Sequence, residues 1–323
     1  MDISIWNIGM AFSDTAIDGL ILDVTPKQDL GKVQSYCWAM NTFGTGGGGI
    51  ILGAIFLYFE AIPLLFVFEG FLLISSCIFP FYVREKRIDK NVQAWQNLKE
   101  IFSKRLNWKV FIFTFTDAIP YGVVSIVYII FILLYAPDLL ILGTVSSLSL
   151  AGQPLETFIV YSVLGAIGGT GVIVGNIITG RIADKNRRLS VYVANVLYIP
   201  FLFICFLFRG PYIYGTTMLI IIEAGRGALT ASYQSIRSDI SKKYPDLDST
   251  YFAFVISCSN LGYTIGLATA SSLVIFFSGF FTEFYLTIFG IMLVMACFEI
   301  FSFMIFMTID RKEYEFKEKL NKD

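Results

Sequence analysis

Long apolar runs alternate along the chain with short segments rich in charged residues, proline or glycine. Each run has about the twenty residues that an apolar helix needs to cross the hydrocarbon of a bilayer. The first run contains Asp14 and Asp18 and has no basic segment before it, so it does not resemble a cleaved signal peptide. Nine spans are predicted, near residues 4–23, 34–58, 62–83, 109–135, 157–179, 189–208, 212–236, 251–276 and 284–308.

Composition agrees with a membrane protein. Of 323 residues, 56% are hydrophobic and 15% are charged, and the mean hydropathy is +0.69, which makes membrane lipid the expected surroundings. The net charge of −1 argues against a nucleic-acid partner. There is no histidine, and the five cysteines are dispersed through apolar runs. The sequence therefore predicts neither a disulfide framework, a metal site nor a cofactor.

Lysine and arginine collect in alternate loops. If the nine spans are correct, 22 of the 24 basic residues lie on one side, leaving Arg209 on the other side and Arg226 within a span. The positive-inside rule makes the basic side cytoplasmic. We therefore expect a multi-pass protein, in the plasma membrane, with its N-terminus outside and its C-terminus in the cytoplasm.

The longest polar connection divides the predicted chain. Residues 84–108 are expected to hold an amphipathic helix on the membrane surface, because Trp95, Leu98, Ile101 and Phe102 recur at helical spacing. Residues 1–83 then form a partial N-terminal bundle of three spans, and residues 109–308 form a bundle of six. Residues 309–323 are predicted to be a cytoplasmic tail.

Two parts of the chain repeat one order of features. In 14–35 and again in 226–251, a polar-flecked helix end precedes a short basic turn with a proline (Pro26, Pro245). Each turn leads into a glycine-rich helix. Parallel repeats of this kind occur in transporters built from two similar halves.

The segment Gly180-Arg-Ile-Ala-Asp184-Lys185-Asn186-Arg187-Arg188 resembles the cytoplasmic signature Gly-x-x-x-Asp-(Arg/Lys)-x-Gly-(Arg/Lys)-(Arg/Lys) of the major facilitator superfamily. The second glycine of the signature is absent from this segment. The region from Asp14 to Trp38 is similar, less specifically, to the fourth and fifth spans of folate/biopterin-type members. The resemblance implies an all-α, polytopic fold and solute transport across a membrane.

Aligned in this way, the chain starts at the family's fourth of twelve spans. It is then expected either to be a fragment, which we favour, or to assemble with helices that supply the first three spans. The resemblance also implies a cytoplasmic gate, in which Asp184 accepts hydrogen bonds from an arginine or from the amides at a helix N-terminus; its residues are Gly180, Asp184, Lys185, Arg187 and Arg188. The simpler alternative is that Arg181, Arg187 and Arg188 only set the topology.

Charged side chains inside spans are the candidates for binding a solute or protons, because each costs about 2.5–3.5 kcal/mol on insertion scales. Asp14 and Asp18 share a helix face and disfavour each other's ionisation, unless both are hydrated at an interface. Glu223 and Arg226 can form an ion pair, either to help insertion or to bind an anionic group. Asp117 precedes Pro120-Tyr-Gly122, where a kink is expected, and is the best single candidate.

The leading function is secondary active transport of a small organic solute by alternating access, with protons as an expected coupling ion. The alternative is a truncated, transport-inactive receptor or regulatory subunit of the same fold. An enzyme is not expected, since neither a G-x-S-x-G elbow nor a nucleotide-binding loop accompanies the acids. Glycine runs at 44–49 and 165–175 predict close helix packing, which is either static or permits helices to rock.

Overall fold

The described part of the protein is built almost entirely of long α-helices. The computed structural model describes residues 16–26, 29–59, 94–135, 149–150, 153–204, 212–244 and 247–314, with isolated positions between 67 and 82. Predictions for 1–15, most of the span at 62–83, 84–93, 205–211 and the end of the tail lie outside these residues, as does Asp14. Residues 16–24 are helical and carry Asp18, which is half-buried.

Eight helices follow in chain order. They are α1 (Leu30–Phe59), α2 (Ala94–Ser103), α3 (Arg105–Tyr135), α4 (Leu155–Lys185), α5 (Arg187–Ile204), α6 (Tyr212–Ser241), α7 (Asp248–Ser278) and α8 (Phe284–Met307). Two-residue strands, β1 (Ser149–Leu150) and β2 (Gln153–Pro154), pair antiparallel between α3 and α4. A 3₁₀ turn at Arg311–Glu313 follows α8. The predicted all-α fold is confirmed.

Five of these helices are long and apolar enough to cross a membrane: Arg105–Ile130, Val163–Lys185, Arg187–Ile204, Asp248–Ser278 and Phe284–Met307. In hydrocarbon the backbone must satisfy its own hydrogen bonds, so such runs become helices. Large apolar side chains remain exposed on their outer faces, for example Phe276, Phe301 and Met304. Contiguous apolar surface of this kind suits contact with lipid.

Close backbone contacts join the helices in pairs. α4 packs along α6, α3 along α7, and α1 along α4, while α8 packs against α3. At the α4–α6 contact, a Cβ on Gly175 would collide with the carbonyl oxygen of Ala224, and at the α3–α7 contact one on Gly266 would collide with Ile119. The second predicted glycine run therefore packs as expected. In the first run, Gly46 approaches Ala166 of α4, and α1 continues unbroken.

Basic residues of the described segments meet at one end of the helices, which we call the basic end. There Lys109 at the start of α3 donates to the carbonyl of Thr308, just after α8, at 2.7 Å. Lys242, after α6, donates to the carbonyl of Thr25 at 2.7 Å. After α8 the chain folds back, with Glu313 paired to Lys243 and Tyr314 buried.

One helix extends further than the sequence indicates. The span predicted to end at 236 continues to Ser241 in α6. Arg237 therefore lies within a helix, although its place after the predicted span implied a loop. It is 2% exposed inside the helix bundle. The reason is that a charge can be accommodated within a bundle when a counter-charge on another helix meets it, and α6 provides several such cases.

Candidate functional site: three buried charge clusters

Buried charges form three clusters, two of which lie among α3, α5, α6, α7 and α8. We name them by their central residues. The Arg226 cluster contains Glu223, Arg226, Tyr121 and Tyr263; the Arg237 cluster contains Asp117, Arg237 and Glu299; the Asp184 cluster contains Asp184, Arg187 and Asp239 with the backbone of Lys32.

The Arg226 cluster brings the predicted pair together. Glu223 and Arg226 lie one turn apart on α6, and Arg226 Nη1 is 2.7 Å from Glu223 Oε2. The guanidinium also lies 3.7 Å from the ring centroid of Tyr121 on α3 and donates to its hydroxyl at 3.0 Å. Tyr121 in turn packs on Tyr263 of α7, with ring centroids 4.4 Å apart. The Arg226 side chain keeps 17% of its surface exposed.

Asp117 pairs with an arginine on another helix, whereas Glu223 pairs with an arginine on its own helix. The Asp117 carboxylate accepts from Arg237 Nη2 at 3.2 Å, and Arg237 Nε donates to Thr114 one turn earlier on α3 at 3.1 Å. The Asp117 side chain is 15% exposed. Helix α3 continues through Pro120. Gly122, two residues later, allows α7 to approach closely at Gly266.

Glu299 completes the Arg237 cluster and was missed by the sequence analysis. It lies on α8, is 1% exposed, and interacts with Asp117 and Arg237. The signal was available, because Glu299 is the one charged residue in Phe284–Met307. Intramembrane ionisable residues are functional candidates by default.

Tyr198 of α5 is close to both the Arg226 cluster and the Arg237 cluster. It is 2% exposed and interacts electrostatically with Glu223 and Arg226 and also with Asp117 and Glu299. Its hydroxyl has no hydrogen-bond partner within the described part of the chain.

The Asp184 cluster lies at the basic end. Both carboxylate oxygens of Asp184 accept from the backbone N–H of Lys32 in the first turn of α1, at 3.2 and 3.1 Å. Arg187 Nη1 lies 3.2 Å from the same carboxylate, and Arg187 Nε donates to Asp239 of α6 at 2.7 Å. Asp184 thus has both of the partners considered for it, an arginine and a helix N-terminus.

The remaining residues of the signature have separate roles. Gly180 lies against Ser35 and Gly31 of α1, where a Cβ would collide, so glycine permits the α1–α4 approach. Lys185 is exposed. Arg188 donates to Tyr192 at 3.1 Å and contacts the sulfur of Met307 at 3.7 Å.

Asn186 has a structural explanation. Its side-chain oxygen accepts from the backbone N–H of Leu189 at 2.9 Å, so it caps the N-terminus of α5, which asparagine does well. A single residue therefore separates α4 from α5 and starts the second helix. The five charges at 181–188 lie at the end of α4 and the start of α5, on either side of Asn186. They occupy the short polar segment between two apolar runs.

None of the described residues form a group of three histidine, cysteine, aspartate or glutamate side chains that would hold a metal ion. The cysteines that the structure describes as free thiols are Cys37, Cys258 and Cys297. The side chains of the three clusters can form ion pairs and hydrogen bonds and can transfer protons.

Comparison with known proteins adds one finding. A family model described as Major Facilitator Superfamily matches residues 4–266. No curated protein and no solved structure matches the chain. The match covers most of the chain, including α1, α3 to α6, and the signature at the α4–α5 turn. Together with the bundle of long apolar helices, it shows that this chain is a membrane protein that belongs to the major facilitator superfamily.

Proposed function

We propose that the chain is a secondary active transporter that moves a small organic solute with an anionic group by alternating access, coupled to protons. The observation that carries this proposal is the Arg226 guanidinium, held inside a helix bundle and still partly exposed. Membership of a superfamily of transporters supports it. We further propose that the protein lies in the plasma membrane with the basic end in the cytoplasm, as the positive-inside rule favours.

The Arg226 cluster suits a carboxylate or a similar planar anion. Tyr121 covers one face of the guanidinium, which fixes the orientation of its donors and adds a cation–π attraction. Glu223 neutralises Arg226, with Nη1 and Oε2 2.7 Å apart. An arriving anion would displace Glu223 and bind two donors of the planar guanidinium, an arrangement that arginine provides and lysine does not.

The Asp184 cluster would serve as the gate at the basic end. It joins α1 to the α4–α5 turn and to α6 through hydrogen bonds to charged groups. Such bonds contribute about 1.5–3 kcal/mol each, enough to hold a closed state that still opens. Separation of α1 from α4 would break the Lys32–Asp184 contact and admit water to the bundle.

Uptake into liposomes tests the proposal. The reconstituted chain is offered a panel of radiolabelled monocarboxylates, dicarboxylates and neutral solutes, with and without a pH gradient. We expect gradient-driven accumulation of an anionic solute and its loss in Arg226→Lys, which keeps the charge but loses the planar fork. Arg105→Lys, at the exposed start of α3, is the matched control and should transport normally.

Other outcomes are equally decisive. Accumulation of neutral solutes alone, unaffected by Arg226→Lys, would refute the anion site. Binding of a solute without any uptake would favour the alternative function, a transport-inactive receptor or regulatory subunit of the same fold. The similarity to folate/biopterin-type members stays a prediction, which the same panel tests if pteridine carboxylates are included.

A further inference from the structure

Glu299 is the most deeply buried acid among the described residues of the helix bundle that is not in an ion pair. It lies two thirds of the way along α8, is 1% exposed, and within the described part of the chain its carboxyl oxygens have no hydrogen-bond donor other than the Asp117 carboxyl, with which they interact. Burying an ionised carboxylate in such a place costs several kcal/mol unless it is compensated. A group of this kind needs either a counter-charge or a proton.

The surroundings of Glu299 contain too little positive charge. Glu299 interacts with Asp117 of α3, with Arg237 and Tyr233 of α6 and with Tyr198 of α5. On α7, Cys258 faces Arg237. Two carboxyl groups therefore share one guanidinium, which already donates to Asp117 at 3.2 Å. With both acids ionised the Arg237 cluster would carry a formal charge of −1, and one bound proton makes it neutral.

The geometry points to one exchangeable proton held by the Asp117 and Glu299 carboxyls, with Arg237 as the fixed counter-charge. We propose that this pair is the proton-carrying site of the transporter, an inference that rests on the proposed function. In the step itself, a proton from water on one side of the membrane binds a carboxylate oxygen to form a carboxylic acid. The same O–H bond breaks when the proton leaves to water on the other side.

The position of the pair explains how a proton would be coupled to a solute. Tyr198 interacts with the Arg226 cluster and with the Arg237 cluster, so these two clusters are near each other. Loss of the proton from the Arg237 cluster therefore adds a negative charge near Glu223 and Arg226. That negative charge repels a solute anion and offsets part of the attraction of Arg226, which weakens the binding of the anion. Arg237 also lies two residues from Asp239 on α6, so the same turn of helix contributes to the Asp184 cluster at the basic end.

Infrared difference spectroscopy tests the proton site without any solute. The full chain is reconstituted in liposomes, and spectra are taken between acid and alkaline buffer, in water and in heavy water. We expect a C=O stretching band of a protonated carboxyl that shifts in heavy water and disappears in alkaline buffer. Glu299→Gln should lose this band, whereas Glu283→Gln should keep it, since Glu283 is an exposed acid just before α8.

The band identifies the carrier whatever happens to transport. An unchanged band in Glu299→Gln, or no titrating band in the wild type, would overturn the proposal. If Glu299→Gln is not recovered as folded protein, Asp117→Asn provides the same comparison, because it removes the other carboxyl of the pair. Failure of the proposed function would appear separately, as absence of uptake by a wild-type protein whose band still titrates.

Discussion

The pair formed by Arg187 and Asp239 gives a quantitative test of how buried charge is handled at the basic end. Arg187 Nε lies 2.7 Å from Asp239 Oδ2, and the two side chains are 7% and 5% exposed. The exposed pair Lys104–Glu100 has nearly the same separation, 2.6 Å, with 46% and 58% exposure. The two pairs therefore differ in burial rather than in distance.

Opposing energies set the expected result. At 2.7 Å, two unit charges attract by about 6 kcal/mol with an effective dielectric constant of about 20, but desolvation costs several kcal/mol for each ion. Replacing both residues by apolar ones is therefore expected to change stability little. Removing one partner leaves a buried charge, which costs about 3–5 kcal/mol. The lower end is expected for Asp239→Leu, because Asp184 still lies 3.2 Å from Arg187.

The assay is a double-mutant cycle with Arg187→Met, Asp239→Leu and the combined variant, unfolded by titration in mixed micelles. We expect each single variant to lose about 3 kcal/mol, the combined variant to lose much less, and the coupling free energy to exceed about 2 kcal/mol. The matched cycle with Lys104→Met and Glu100→Leu should give about 0.3–0.5 kcal/mol.

Additive losses in the buried cycle would refute the reasoning. They would mean that Arg187 and Asp239 contribute independently and that burial does not strengthen their dependence on each other. A coupling as large for Lys104 and Glu100 as for the buried pair would refute it as well, because exposure would then make no difference.

Three further predictions concern the site and the packing. Asp117→Asn should abolish uptake or uncouple it from the pH gradient without lowering expression; normal uptake with an unchanged pH profile would remove Asp117 from the site. Asp184→Ala should slow turnover and leave solute affinity nearly intact, and wild-type turnover would argue against a gate. Gly175→Ala, which places a Cβ against Ala224, should destabilise the protein by about 1–3 kcal/mol in thermal unfolding, while Gly48→Ala, where no atom of the described residues lies within 4 Å of the added Cβ, should not.

Helix positions were well predicted because the hydrophobic signal is local. The apolar runs at 109–135, 251–276 and 284–308 correspond to α3, α7 and α8, since any helix in lipid must be about that long. The signature at 180–188 likewise indicated the α4–α5 turn. Such features depend on neighbouring residues, and one sequence contains all the information that they require.

Charge pairing could not be predicted in the same way. Asp117 and Arg237 are separated by 120 residues, and no local pattern shows that two helices will bring them together. Arg237 was placed after a span because an isolated arginine normally marks the end of an apolar run. Once Asp117 and Thr114 supply acceptors, the helix can continue past it to Ser241.

Glu299 was missed for the opposite reason. The run that contains it is the most apolar of the spans found in the described part of the chain, so a single acid hardly alters the hydropathy of the segment. Its importance follows from its neighbours on α3 and α6, which only the three-dimensional arrangement reveals. Asp184 was easier, because a carboxylate in a basic turn has few partners other than an arginine or a helix N-terminus.

The central claim is that the Arg226 cluster lies on a path that opens alternately to the two sides of the membrane. The most direct measurement uses Tyr263→Cys in a chain without its native cysteines, with labelling by a membrane-impermeant maleimide from each side of sealed vesicles. Controls are Leu293→Cys on the outer apolar face and Asp310→Cys at the basic end.

We expect the Cys at position 263 to react with the maleimide from both sides, and we expect the transported solute to slow both reactions. The control at position 310 should react from one side, and the control at position 293 should react from neither. Reaction of position 263 from one side only, unchanged by any solute that the chain transports, would contradict alternating access at this site.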